Sequence, residues 1–227
     1  VQEARALGIP VVKRPQFLSW LTAGHRVIAV AGTHGKTTTT AMIVSLLVEA
    51  GLDPSFIVGG VVAGLGCNAH AGRGPHFVIE ADEYDRTFHA LRPALAVVTN
   101  VEMDHPDCYA TYADVQAAFA TFAAQIPEGG CLIACNDDAG ARALMAGLGP
   151  DRRIVRYGLS EGADVRALSP DGVNAGQALE WTVSGMPRGM LQLWVPGQHN
   201  IRNALAALSV SNELGIDCLL YTSDAAD

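Results

Sequence analysis

Between Val27 and Thr40 the chain reads V-I-A-V-A-G-T-H-G-K-T-T-T-T, and no other stretch constrains the fold as strongly. Four β-prone apolar residues, Val27 to Val30, run into Gly32. After Gly35-Lys36-Thr37, apolar residues recur at helical spacing at Met42, Ile43, Leu46, Leu47 and Ala50. A strand, a tight glycine turn and a helix are therefore expected in that order. Such a turn suits phosphate. Glycines let backbone N–H groups close around an oxyanion, the helix N-terminus adds positive potential, a lysine reaches the β/γ phosphates and a hydroxyl serves a Mg²⁺ site. Lys36 and Thr37 stand at the last two places. A glycine five residues before Gly35 would fall at position 30, which is Val30, so the loop is a shorter variant of the common pattern.

Two further apolar runs end abruptly in polar residues. Phe77-Val78-Ile79 leads into Glu80-Ala81-Asp82-Glu83-Tyr84-Asp85, and Leu95 to Val98 leads into Thr99-Asn100-Val101-Glu102-Met103-Asp104-His105. In an open parallel sheet the carboxyl ends of the strands share one ligand-binding edge, so these ends are expected beside Lys36 and Thr37. Carboxylates there are natural Mg²⁺ ligands, and by chemistry alone Asp104 ranks above His105, because so hard a cation prefers oxygen. Glu80 is favoured over Glu83 because it directly ends a strand.

Elsewhere the patterns describe scaffold. Tyr112, Val115, Phe119, Phe122 and Ile126 form the apolar stripe of an amphipathic helix. Cys131 to Cys135 reads as a strand and Ala139 to Leu148 as a helix. Ile154 to Tyr157, Val165 to Leu168, Leu179 to Val183 and Leu191 to Val195 read as an antiparallel meander packed beside the main sheet. The glycine-rich run from Gly59 to Gly74 reads as a mobile loop, with Asn68, His70 and Arg73 as weak site candidates. Ahead of the central stretch are an alanine-rich helix end at Glu3 to Leu7, a short strand at Val11-Val12 and a helical piece at Phe17 to Leu21. The fold expected is α/β: a phosphate-loop-containing, mainly parallel sheet flanked by helices, with a small antiparallel β meander.

Composition excludes several functions. A net charge of −8 with only two lysines, Lys13 and Lys36, argues against a nucleic-acid surface, which relies on clustered basic residues. No apolar run approaches the ~18 residues of a membrane span, and no signal-type segment opens the chain. Five scattered cysteines without a C-x-x-C pair fit reduced thiols. No membrane partner and a cytoplasmic setting are expected.

G-T-H-G-K-T-T with His34 inside the loop closely resembles the phosphate loop of the Mur ligases, the ATP-dependent amide-forming enzymes of peptidoglycan precursor synthesis. E-A-D-E followed by T-N-V-E-x-D-H, and H-N-x-x-N at His199, Asn200 and Asn203, resemble further segments of that family in the same order. The resemblance covers about Val11 to Ile216. It implies ATP and Mg²⁺ as cofactors, with Gly32, Thr33, His34, Gly35, Lys36, Thr37, Thr38 and Asn100 at the nucleotide. It also implies Thr37, Glu80 and His105 at the metal, and Lys36, Glu80 and His105 as the catalytic set. The amides of Asn200 and Asn203, with His199, would meet the adenine ring, since an amide can donate and accept at once. Several Mur ligases use a carbamylated lysine for a second magnesium; no lysine follows Lys36 here, as is expected of the alanine-adding branch.

Residues 1–26 would then be the remnant of an N-terminal nucleotide-sugar-binding domain and 27–216 the central ATP-binding domain. Residues 217–227 resemble the translated read-through of a sequencing adaptor and are expected to be a non-native tail without a place in the fold. The implied reaction adds L-alanine to UDP-N-acetylmuramate through an acyl phosphate. Two alternatives stand: the branch that rejoins a recycled tripeptide to the same nucleotide sugar, which shares E-A-D-E-Y-D with its tyrosine, and an ATP-binding module that has no ligase activity by itself.

Overall fold

The computed structural model describes residues 1–168, 175–176, 178–216 and 221–223. Two short helices, α1 (Gln2–Ala6) and α2 (Arg14–Leu21), precede the central strand β1 (Arg26–Ala31) and helix α3 (Lys36–Glu49). Val27 to Ala31 are all at most 3% exposed, so β1 is covered on both faces, as its unbroken apolar run requires. Next come β2 (Ser55–Val62), β3 (Cys67–His70), β4 (His76–Glu80), a 3₁₀ helix (Tyr84–Ala90) and β5 (Leu95–Val98). Then follow α4 (Tyr112–Ala124), β6 (Cys131–Cys135), α5 (Ala139–Ala146), β7 (Arg153–Gly158), β8 (Val165–Leu168), β9 (Ala178–Val183), β10 (Met186–Leu193), α6 (Gln198–Glu213) and β11 (Tyr221–Ser223).

All the strands join one sheet in the order β11-β10-β9-β8-β7-β6-β5-β1-β4-β2-β3. From β8 through β7, β6, β5, β1 and β4 to β2 the pairing is parallel, and the antiparallel pairs lie toward the two ends. β1 is flanked by β5 and β4, so the loop after β1 lies between the ends of those two strands. That single topological fact brings three separate motifs to one edge.

α3 and α6 pack on each other; Met42, Ile43 and Leu47 of α3 and residues 204–210 of α6 are fully buried. Phe88 of the 3₁₀ helix stacks on Phe122 of α4 at 5.0 Å and meets Phe119 edge-on at 5.4 Å, so the aromatic stripe is core. Its first member, Tyr112, stays partly exposed and donates to the carbonyl of Val101 at 3.1 Å.

Three expectations are corrected. Val11-Val12 forms no strand. Ile154 to Tyr157 belongs to the parallel sheet as β7, and the antiparallel strands β8 to β10 extend that sheet instead of packing beside it. Alternation alone cannot tell a new meander from the continuation of an existing sheet. The glycine-rich run is not a loose loop: β2 continues through Gly59-Gly60 to the buried Val62 and turns back as β3. A Cβ on Gly72 or Gly74 would strike the backbone of Leu52, Asp53 and Pro54, so those glycines permit close chain approach. Within the expected tail, Tyr221–Ser223 pairs parallel with β10, where an edge strand offers unpaired backbone groups to any extended segment. Residues 217–220 and 224–227 lie outside the described residues.

Candidate active site

The phosphate loop is closed by contacts that only glycine allows. Gly32 has φ +141°, and a Cβ there would fall onto the Thr99 hydroxyl. Gly35 has φ +80° and ends the loop just before α3, whose first residue is Lys36. The segment that follows β5 pins the loop from beside it. The His34 N–H donates to Asn100 Oδ1 at 2.8 Å, the Thr99 hydroxyl donates to the His34 carbonyl at 2.6 Å, and the Glu102 N–H donates to the Thr33 hydroxyl at 3.0 Å. Asn100 therefore shapes the loop. The His34 side chain is exposed, with Nε2 3.9 Å from Glu102.

Lys36 is not extended into solvent. Its ammonium donates to the carbonyls of Gly32 (2.6 Å) and Thr33 (3.4 Å) and to both carboxylate oxygens of Glu83 at 3.0 Å. Glu83 is 2% exposed, and its Oε1 is also 3.5 Å from His105 Nε2. The carbonyl of Glu83 accepts from the Tyr109 hydroxyl at 2.6 Å; burial, then the nearby Glu83 charge, push that phenol above its ordinary pKa. His105 has φ +52°, its N–H donates to Asp104 Oδ1 at 2.7 Å, and its ring meets Tyr84 edge-on at 5.3 Å.

Glu80 ends β4 and has different partners. Its Oε1 accepts from the Gly59 N–H at 2.6 Å. A Cβ on Gly59 would lie 2.9 Å from Glu80 Oε2 and 3.2 Å from Thr37 Oγ1, so carboxylate and hydroxyl border one small cradle that glycine leaves open. Thr37 is exposed and Thr38 half-buried. The structure thus groups the expected metal set differently. Glu80 stands with Thr37, whereas His105 stands with Glu83 and Asp104, whose ligand atoms lie within 4.8 Å of one another. Oxygen-rich donors in both places fit a hard divalent cation.

The two amides of α6 have different neighbours. His199 is exposed and its ring lies over Gly197, while Asn200 donates to the carbonyl of Pro196 at 2.8 Å. Asn203 is 7% exposed and faces the phosphate loop at Gly35. Arg202, just before Asn203, ties α6 to the turn after β6: its Nε donates to Asp137 Oδ2 at 2.7 Å. Burial works to raise the pKa of Asp137, but hydrogen bonds from Ser160, Arg202 and the amides of Leu159 and Ser160 outweigh it and hold the carboxyl below its usual value. Asp137, Asp138 and Arg202 line a polar cavity of about 180 Å³ with Thr99, Asn100, Glu102 and Cys135. His70 and Arg73 pair with Asp53 at 3.4 and 3.2 Å, away from this edge.

Glu83, Tyr109 and the Asp137–Arg202 pair had not been picked out from the sequence as site residues. Glu83 was visible as the second glutamate of the acidic run, but only the turn after β4 carries it under Lys36. Asp137 sits in N-D-D after a strand, a placement equal to that of Glu80 and available as a signal.

The Mur ligase middle domain family matches residues 30–211. The UDP-N-acetylmuramate–L-alanine ligase of Paenarthrobacter aurescens is 50% identical over 217 residues, 94% of this chain and 46% of the relative. That of Renibacterium salmoninarum is 51% identical over 216 residues, with the same coverage. The chain thus spans about half the length of these curated relatives. Among solved structures, the UDP-N-acetylmuramate:L-alanyl-γ-D-glutamyl-meso-diaminopimelate ligase of Neisseria meningitides superposes with a TM-score of 0.83 at 31% identity, covering 96% of this chain and 71% of that one. The UDP-N-acetylmuramate–alanine ligase of Thermotoga maritima gives 0.78 at 27% identity, with 95% and 48% covered. With four-fifths of its length matched by that middle domain and half its residues shared with such relatives, the chain belongs to the Mur ligase family.

Proposed function

We propose that residues 27–216 form the ATP-binding domain of a ligase that adds L-alanine to UDP-N-acetylmuramate. The observation that carries this reading is Lys36 Nζ held against the Gly32 and Thr33 carbonyls of the glycine loop and against Glu83, which shares a possible ligand group with Asp104 and His105. Relatives at about half identity that act on these two substrates support the choice of branch.

In this reading the backbone N–H groups of residues 32–37 hold the β and γ phosphates, and Lys36 meets the charge that develops on the transferring phosphoryl group. Mg²⁺, when bound through Thr37 and Glu80 and through His105 with its carboxylate neighbours, supplies neutralisation of phosphate charge. The γ-phosphoryl passes from ATP to an oxygen of the lactyl carboxylate, breaking the bond to ADP. The alanine amine then attacks the acyl carbon, phosphate leaves and an amide bond forms. No protein nucleophile is required, so the chain's contribution is positioning and electrostatics.

The tripeptide-joining branch is favoured by one observation, Tyr84, which donates to Asp107 at 3.1 Å and meets His105. Phosphate release by a chain of the relatives' full length, given ATP, UDP-N-acetylmuramate and either L-alanine or the tripeptide, separates the branches. Turnover with the tripeptide alone would reverse the choice. ATP binding by the 227-residue chain without ligation would match the reading of this polypeptide as a nucleotide-binding module.

A further inference from the structure

Glu83 raises a question that the nucleotide-binding reading leaves open. It is a buried carboxylate whose nearest cation is the same lysine that a phosphate needs. An ammonium has three hydrogens to donate. Here they are spread over the carbonyls of Gly32 and Thr33 and both oxygens of Glu83. A phosphate entering the loop must therefore draw Lys36 at least partly off Glu83. With Lys36 withdrawn, the Glu83 carboxylate is left in a place where an unpaired charge is strongly disfavoured. The backbone that carries it is held in place, because Tyr109, itself 1% exposed, donates to the Glu83 carbonyl.

A replacement cation has a place to bind. Asp104 and His105 each present a ligand atom to Glu83, all within 4.8 Å of one another, and the three differ in burial, Glu83 being inside and the other two half-buried. Two carboxylate oxygens and an imidazole nitrogen suit a divalent ion such as Mg²⁺ or Mn²⁺, approached from the solvent side. While Lys36 is 3.0 Å from Glu83, its positive charge opposes that ion.

We propose that Glu83 is a cation-exchange residue: it holds Lys36 in the empty phosphate loop, and when phosphates draw Lys36 away it takes a divalent cation together with Asp104 and His105. Nucleotide and cation then bind cooperatively, each favouring the state the other needs. This rests on the nucleotide-binding reading above and goes beyond it by giving Glu83 a positioning role.

The test uses the 227-residue chain, with Mn²⁺ titrations followed by electron paramagnetic resonance and ATP binding followed by calorimetry. Without nucleotide, Lys36→Met is expected to bind Mn²⁺ about tenfold tighter than the wild type, because the opposing charge is gone. Glu83→Gln is expected to bind metal-free ATP about tenfold tighter than the wild type, and Mn²⁺ is expected to improve its ATP affinity by less than about threefold, against more than about tenfold in the wild type. Chelation of Mn²⁺ by ATP in solution is common to both proteins and cancels. Equal Mn²⁺ affinity of the wild type and a folded Lys36→Met chain would overturn the proposal, and this arm stands even if Glu83→Gln fails to fold. Intact ATP binding with unchanged coupling in a folded Glu83→Gln overturns this proposal alone. Absence of ATP binding to the wild type would overturn the nucleotide reading and the exchange with it.

Discussion

Asn203 presents its side-chain oxygen to Gly35, 2.8 Å from where a β-carbon would stand. A helix far along the chain thus crowds the phosphate loop at Gly35, through a residue expected to contact adenine. Gly35→Ala combines a left-handed backbone with this clash and is expected to destabilise the domain by ~1–3 kcal/mol. Asn203→Ala in the same chain should recover the steric part. Urea unfolding of both singles and the double variant separates the two causes, and purely additive effects would show that Asn203 does not press on Gly35.

Lys36 is both a phosphate-loop lysine and the partner of a buried acid. By its motif alone it has no structural role, so Lys36→Ala should leave the fold untouched. The side chain is in fact 18% exposed and its partner 3%. Truncation is therefore expected to lower stability by about 3 kcal/mol, because Glu83 is left unpaired. Glu83→Gln added to Lys36→Ala should return most of that loss. In a chain of the relatives' length, Lys36→Ala is also expected to lower ATP turnover on the order of 10³-fold. Unchanged unfolding midpoints for Lys36→Ala would contradict the burial of this pair.

Glu80 and Thr37 meet at a cradle that any side chain on Gly59 would enter. Glu80→Ala is expected to raise the Mg²⁺ concentration for half-maximal turnover by about tenfold or more, and Gly59→Ala to do the same by displacing the carboxylate. A Mg²⁺ titration of both variants is the check. A change in Glu80→Ala without one in Gly59→Ala would mean that the cradle closes elsewhere.

The loop's neighbours were legible from the sequence because strand ends in a parallel sheet converge by topology. Glu80 and Asn100 lie beside Lys36 for no reason beyond the order β5-β1-β4. What the sequence concealed depends on side-chain direction. Glu80 and Glu83 are three residues apart in one acidic run, yet the turn after β4 sends the first to Gly59 and the second under Lys36. Asn200 and Asn203 share helical spacing, yet one donates to the carbonyl of Pro196 and the other meets Gly35. Gly59-Gly60 looked like a break because glycine usually weakens strands, but period-two burial continues through them to Val62. Arg202 was hidden by its place between the two asparagines.

At the opposite end of the sheet from the phosphate loop, His76 opens β4 beside Arg26 of β1. It is 6% exposed, and neither ring nitrogen has a protein partner. Burial, and then the charge of Arg26, push its pKa below the ordinary 6.5. A folded-state value below the unfolded one means that the unfolded chain binds the proton more readily, so stability rises with pH through this window. The contribution is complete above about pH 6.5 and is lost as pH falls from there toward the lowered value. The urea midpoint is therefore expected to fall between pH 7.5 and pH 5.5, a change that carboxylates titrating near their ordinary ~4 contribute little to in that range. His76→Phe keeps the volume and removes the titration, so its midpoint should change less over the same interval. Equal pH dependence in the wild type and His76→Phe would mean that another group carries the effect.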